Sequence, residues 1–353
     1  MAYTEILSTA DITAEQWDSG IFSEYLGQMF WKYLMGTSSN AGIQMLENLQ
    51  KAAGDAINVP LRSNVKGGKV TGNNKGKGNE GRMDFYNFRL VIDNVRFLIK
   101  FEDVPMTQKR VPFNVLQAGR DGLVEKNKYG LEDDITTSLC DTSTGRVRGR
   151  YLYGATDSNW NATHTTALAN IDNTDDKLTS TMISVAKRKA LIPTNATARV
   201  RPMKIMQGEN YEEWFDFVAH TYCIRDLEEG DAAFRNAQLN LPPNPNRDSP
   251  IYNGSSFHGA WRGNLIHEWD RMPLVSSSIQ VGHCLLLGAQ AGAVAWGQRT
   301  KFGDDSEDVG HDVIYETHEI RGIKKMVFDR SSVSGETNED HGLVNVFAAA
   351  VAD

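Results

Sequence analysis

Apolar residues recur at three- and four-residue steps through residues 14–35, where Trp17, Ile21, Phe22, Tyr25, Leu26, Met29, Phe30, Tyr33 and Leu34 form one broad stripe. That spacing predicts an amphipathic helix. Thr13-Ala14-Glu15-Gln16 supplies a capping box at its start, and Gly36 follows its end. A stripe so wide and aromatic needs a large apolar surface to cover it, either this chain's own core or a neighbour's. A second helical stripe, Leu116, Leu123, Val124, Leu131, Ile135 and Leu139, predicts a helix over 107–139. Gly119, Gly122 and Gly130 lie inside it, each costing about 1 kcal/mol in a helix interior.

Further along, Asp175-Asp176 precede an amphipathic run with Leu178, Met182, Val185 and Ala186 that ends in Lys187-Arg188-Lys189. Acids before and bases after suit a helix dipole. Helices are also predicted over Arg225 to Ala237 and, from its small residues, over Cys284 to Trp296. Strands are predicted at Ala56–Leu61, Phe85–Phe101, Trp214–Tyr222, Val313–Phe328 and Val344–Val351, and a rigid loop at Leu241-Pro242-Pro243-Asn244-Pro245. Helices and strands are interspersed without regular strand–helix alternation, which predicts an α+β fold and not a doubly wound sheet.

Between the first two strands lies a stretch unlike the rest. Residues 62–82 hold six glycines, six basic residues and one acid, Glu80. Strand, long glycine-rich tip, strand reads as an extended β-hairpin. The whole chain of 353 residues carries a formal charge of −8, so this tip at +5 leaves the remainder at −13. Such a split lets the tip of one copy engage an acidic patch of another, the alternative being a solvated, flexible loop. Lys66, Lys69, Lys75, Lys77 and Arg82 are the candidate contacts. Two other uses of the same loop stay open: a nucleic-acid-binding module and a nucleotide-binding protein. The overall acidity argues against bulk phosphate affinity. Gly76-Lys77-Gly78-Asn79-Glu80-Gly81 is a literal GxGxxG, yet Arg82 to Tyr86 continues as a strand, where a dinucleotide site needs a helix.

Catalytic chemistry is sparse. The eight histidines are scattered, with no HExxH, and the densest group is His311, Asp312, Glu316, His318 and Glu319. Asp304 to Asp308 is acidic without the ligand order of a calcium loop and reads as a solvated loop. Arg146, Arg148 and Arg150 alternate along a short segment, either to pair with carboxylates across an interface or, as the expectation, to face water. Cys140, Cys223 and Cys284 read as free thiols. The opening MAYTEILSTADITAEQ lacks the basic stub and apolar core of a signal peptide, and Val281 to Trp296 falls short of a membrane span of about 20 residues. A soluble intracellular chain without cofactor, metal or catalytic residues is expected.

From Gly76 to Leu123 the sequence GKGNEGRMDFYNFRLVIDNVRFLIKFEDVPMTQKRVPFNVLQAGRDGL resembles the hairpin and long-helix region of major capsid proteins of tailed, mostly short-tailed, bacteriophages. EQWDSGIFSEYLGQMFWKYLMG, FDFVAHTYCIRDL, IYNGSSFHGAWRGNLIHEWDRMP, LLLGAQAGAVAWGQ, GIKKMVFD and GLVNVFAAAVAD extend the resemblance in order along nearly the whole chain. The resemblance implies the HK97-type coat fold. Residues 1–56 would be the N-terminal arm, 57–103 the extended loop, and 104–140 the peripheral domain with its spine helix. Residues 141–308 would be the axial domain, and 309–353 a return to the peripheral domain. Trp17, Phe22, Tyr25, Phe30 and Tyr33 would be docking or inter-subunit contacts of the arm. It further implies self-assembly into hexamers and pentamers of an icosahedral head around double-stranded DNA, with a scaffolding protein and a portal as partners and a cement or decoration protein left open. Such a chain would assemble in the host cytoplasm and end in the virion capsid.

Overall fold

The computed structural model describes residues 25–26, 29–47, 54–62, 69–72, 75–81, 83, 85–192, 198–207, 210–239, 256–328 and 338–352. Strands are numbered in chain order. A 3-10 turn, Phe30–Leu34, leads into β1 (Met35–Gly36) and β2 (Ile43–Leu46). The single helix expected over 14–35 therefore ends earlier in its described part. Met29 is already extended at ψ 141°, and the Phe30 amide is donated to the Glu132 carboxylate at 2.8 Å, so it is unavailable for an intrahelical bond. Trp17, Ile21 and Phe22 lie outside the described residues.

β3 (Ala56–Arg62) and β4 (Phe85–Val91) form the expected antiparallel hairpin, in register from Ala56 opposite Val91 to Arg62 opposite Phe85. The expected long flank 85–101 divides at Ile92. β5 (Asp93–Phe101) turns away to pair with a strand from the C-terminal third. Two helices follow where one was expected: Val104–Arg110 and a long helix, Val115–Leu139. Pro112 forces the break, because the residue before a proline avoids helical backbone and Val111 sits at φ −119°, ψ 147°. Asn114 then caps the long helix, its Oδ1 accepting from the Leu116 and Gln117 amides at 3.0 and 3.2 Å.

The helical glycines have a use. A Cβ on Gly119 would lie 2.3 Å from the Phe101 ring, and one on Gly130 would lie 2.7 Å from the Phe97 ring. The long helix thus lies close across β5, whose alternate residues 95, 97, 99 and 101 face it while 94, 96, 98 and 100 face outward.

The rest of the chain builds one large sheet and completes a smaller one. The strands are β6 (Tyr151–Tyr153), β7 (Met203–Gln207), β8 (Asn210–Ala219), β9 (Phe257–Trp261), β10 (Asn264–Glu268), β11 (Leu274–Ser276), β12 (Gln280–Leu287), β13 (Gly292–Glu307), β14 (Asp312–Lys325), β15 (Val327–Phe328), β16 (Glu339–Asp340) and β17 (Leu343–Ala349). The smaller sheet runs β1-β2-β13-β14-β5. The larger runs β6-β17-β12-β8-β10-β9, with β11 on β12 and β7 on β8. Helices Ser180–Leu191, Thr221–Gly230 and Ala232–Leu239 cover one face of the larger sheet through Met182, Ile183, Ile224, Leu227 and Phe234. The first of these is the expected basic-ended helix. Thr221 opens a helix where the expected strand to Tyr222 and helix from Arg225 would have met, because the His220 ring accepts the Tyr222 amide as a cap.

The helix expected over Cys284–Trp296 is two strands, β12 and β13. Strands buried on both faces read as continuous apolar runs, and every residue of β17 and all but the first of β12 are buried. Gln290, at φ +57°, turns the chain between them. Asp304 to Glu307 belong to β13 and are not a loop. A division of the chain at 308/309 does not follow the sheets either: β13, before it, is in the smaller sheet, and β17, after it, is central in the larger one. Strand pairing draws these segments across that boundary.

Candidate assembly surfaces

The hairpin β3–β4 buries one face only near its base. Ile57, Phe88 and Leu90 pack on Ala293, Ala295, Met326 and Phe328, and the Ile92 amide is held by the Asp55 carbonyl at 3.0 Å. On the opposite face Phe85 is 70% and Val91 54% exposed. A two-stranded ribbon alone is marginally stable in water. Beyond its anchored base, this one offers a partner an apolar and basic surface. Lys69, Lys75 and Lys77 at the tip are exposed and form no ion pair among the described residues, while Lys66 and Arg82 lie outside those residues. Within the GxGxxG stretch, the Gly78 amide is taken by the Glu80 carboxylate at 2.8 Å, and the chain runs on into β4. The Glu80 carboxylate thus takes up an amide that a phosphate would use, and no helix follows, which disfavours the nucleotide reading.

Three aromatics of the N-terminal segment are seated in this chain's own core. Tyr25 donates to Glu319 at 3.0 Å, and its hydroxyl lies 3.1 Å from Thr300 Oγ1. Burial, then the Glu319 charge, pushes its hydroxyl pKa well up, so it remains a donor. Burial likewise raises the Glu319 carboxyl, against the lowering effect of Arg321. Phe30 stacks on Trp269 with centroids 4.2 Å apart. Tyr33 donates to Asp216 at 2.7 Å, and the other oxygen of Asp216 binds His267 Nδ1. Trp31, absent from the expected contacts, is fully buried and donates to Thr136 at 3.1 Å. Thus the arm clips the long helix to β8 and β14.

The junction of the two sheets is pinned by buried charges. Lys325, 1% exposed at the end of β14, donates to the Asp141 and Thr144 carbonyls at 2.6 and 2.5 Å and pairs with Asp340 at 2.9 Å. Asn345 passes the network on: its Nδ2 donates to Asp340 at 3.1 Å, so its Oδ1 faces His283 Nε2 at 2.8 Å, and that nitrogen carries the proton. Burial drives the His283 pKa down to about 4 and the Asp340 pKa up to about 6. Arg150 is not water-facing as expected; it is fully buried and pairs with Glu339 at 2.7 Å. Arg146 lies over the Trp160 ring at 4.5 Å, and only Arg148, paired with Asp157 at 3.5 Å, is largely exposed. No spacing in the sequence announces these pins, since the partners stand up to 189 residues apart.

Among the described residues no group of three or more His, Cys, Asp or Glu is placed to hold a metal, and no helix is long and apolar enough to cross a membrane.

A sequence model described as phage capsid protein matches residues 5–352. The chain belongs to that phage capsid protein family. No curated protein sequence matches it. Among solved structures, it is similar to the capsid asymmetric unit of cyanophage Pam1, with a TM-score of 0.75 and 22% identity over 100% of this chain and 97% of that one. It is also similar to the capsid of Ralstonia phage GP4, with a TM-score of 0.72 and 20% identity over 100% and 95%. The capsid of Helicobacter pylori bacteriophage KHP30 follows at 0.68 and 14% identity over 90% and 89%. At such identities the likeness is one of fold, and it places this capsid protein among HK97-like α+β folds. As a phage capsid protein it is a structural component of the virion.

Proposed function

We propose that copies of this capsid protein associate as hexamers and pentamers that close an icosahedral head around double-stranded DNA, without catalytic chemistry or a cofactor. The observation that carries this is the hairpin. It presents exposed Phe85 and Val91 on one face and exposed Lys69, Lys75 and Lys77 at its tip. A neighbouring copy supplies the missing cover and the opposite charge, since the chain outside residues 62–82 sums to −13. That same acidity keeps a shell from gripping packaged DNA through non-specific phosphate contacts. On this reading the hairpin β3–β4, within residues 57–103, acts as the extended loop, while β5 stays in the smaller sheet; the long helix is the spine of the peripheral domain, and the larger sheet forms the axial domain. A scaffolding protein and a portal are its expected partners during assembly in the host cytoplasm.

The test replaces Lys66, Lys69, Lys75 and Lys77 together by Glu. Electron microscopy should show loss or misassembly of particles that the unmodified chain forms. Normal shells from the variant would overturn the role assigned to the tip.

A further inference from the structure

The helix Val104–Arg110 has no buried residue. Seven residues make less than two turns and do not hold a helix in water by themselves, yet this one is fixed at both ends. The Val104 amide donates to the His311 carbonyl at 2.8 Å and the Asp103 amide to Asp312 at 3.1 Å. At the far end Gln108 donates to the Phe113 carbonyl at 2.7 Å and accepts the Val115 amide at 3.0 Å. The helix is therefore held against the turn between β13 and β14, while Met106 and Phe113 stay 49% and 56% exposed.

Charge is ordered along this corner. At the turn, Lys100 serves both Glu307 and Asp312, at 3.0 and 3.2 Å. Asp308 in the turn, and Asp304 and Asp305 just before it on opposite faces of β13, remain exposed with no cation among the described residues. At the other end Lys109 and Arg110 occupy the last turn, exposed and likewise without an anion among the described residues. The helical rise carries the chain about 10 Å from Val104, which is held at the turn, to Arg110, with Met106 between the two helix ends.

An edge ordered acid, apolar, base is complementary to itself after a half-turn. We infer that this corner is a two-fold contact with a second copy of the chain, in which Lys109 and Arg110 of each copy meet the acidic turn of the other and the Met106 side chains face each other across the axis. The inference rests on the capsid reading and adds to the hairpin contact a second, reciprocal one, at the opposite end of β14 from the hairpin's anchored base.

Reversing one pole at a time tests it. K109E/R110E makes the far end of the helix acidic like the turn, and D305K/D308K places two lysines on the acidic side. Each variant alone should lose particle yield by roughly tenfold or more, since like charges face across the contact. Co-expression of the two should restore it, because each then supplies what the other lacks. Circular dichroism of each variant checks that it still folds. A Met106→Cys variant, oxidised with diamide and compared with the unmodified chain on a non-reducing gel, should give a covalent dimer that K109E/R110E suppresses. This readout does not need a closed shell. If the unmodified chain forms no particle, the capsid reading fails while the crosslink still decides the two-fold contact. Normal shells from either single-pole variant, failure of the mixture to recover yield, or absence of the crosslink would overturn the inference.

Discussion

Two lysines show how this chain divides its charges. Lys325 is 1% exposed and makes three contacts with oxygen, one to a carboxylate that is itself fully buried. Lys77 stands exposed at the tip of a two-stranded ribbon. The first must find its partners within the chain, because an unpaired buried ammonium is too costly to leave. The second is solvated in a single copy, so its value is realised only when another surface displaces that water. Interior charges therefore settle how the two sheets meet, and tip charges settle what the folded chain meets next.

The largest effect that would sharpen this contrast is at the interior pin. Lys325→Met leaves Asp340 buried without its cation, and breaking such a pair costs about 3–5 kcal/mol. Urea unfolding of the unassembled variant should show the unfolding free energy lowered by that amount. A shift of about 0.5 kcal/mol or less, the range of ordinary surface substitutions, would remove the distinction between the two lysines.

A comparable effect depends on pH. His283 is buried, and its folded-state pKa of about 4 lies below its ordinary value of 6.5. A histidine with a depressed pKa contributes stability that is complete above pH 6.5 and lost as pH falls toward 4, in total about 3 kcal/mol. Asp340 works in the opposite sense: its pKa, raised to about 6, makes the folded state less strained as that carboxyl protonates. The histidine contribution is isolated by comparison with His283→Gln. The unmodified chain should lose about 3 kcal/mol relative to the variant between pH 6.5 and 4, read from denaturant melts at each pH. Parallel pH profiles would show that the ring is not buried as described.

How much of this was legible beforehand follows the same line between local and distant causes. The hairpin could be read because its two strands and its glycine-rich tip are contiguous. The α+β class followed from the order of elements, and the long helix from its stripe. What could not be read depended on residues far away in the chain. The run from Cys284 to Trp296 carries no period, because β12 and β13 are covered on both sides by segments from both halves of the chain. Arg150 looked like a surface cation until Glu339 was brought beside it. The exposed tip lysines were visible as a charge imbalance, while the arm's own seats, Glu319, Trp269 and Asp216, gave no local sign.

The glycines of the long helix break the comparison down further. Gly119→Ala and Gly130→Ala push a methyl group into Phe101 and Phe97 and should each cost about 1–3 kcal/mol through overpacking. Gly122 has nothing within 4 Å of where its Cβ would lie, so Gly122→Ala should stabilise by up to about 1 kcal/mol. Thermal melts of the three single variants decide the matter. Three losses would mean that Gly122 also faces a neighbour, which only an assembled surface could supply.

The smallest expected effect is the most informative about function. Replacing Lys69, Lys75 and Lys77 by Glu alters three exposed side chains that form no ion pair among the described residues. Surface changes of this kind move stability by about 0.5 kcal/mol or less each. The unfolding midpoint of the unassembled chain should therefore stay nearly fixed, while light scattering of the same preparation should show association lost. A variant that melts much earlier would mean that these lysines serve the fold, as Lys325 does, and that their effect on particles is indirect. A fixed midpoint with lost association would place their work entirely between copies, where the desolvation that gives a charge its strength occurs only on contact.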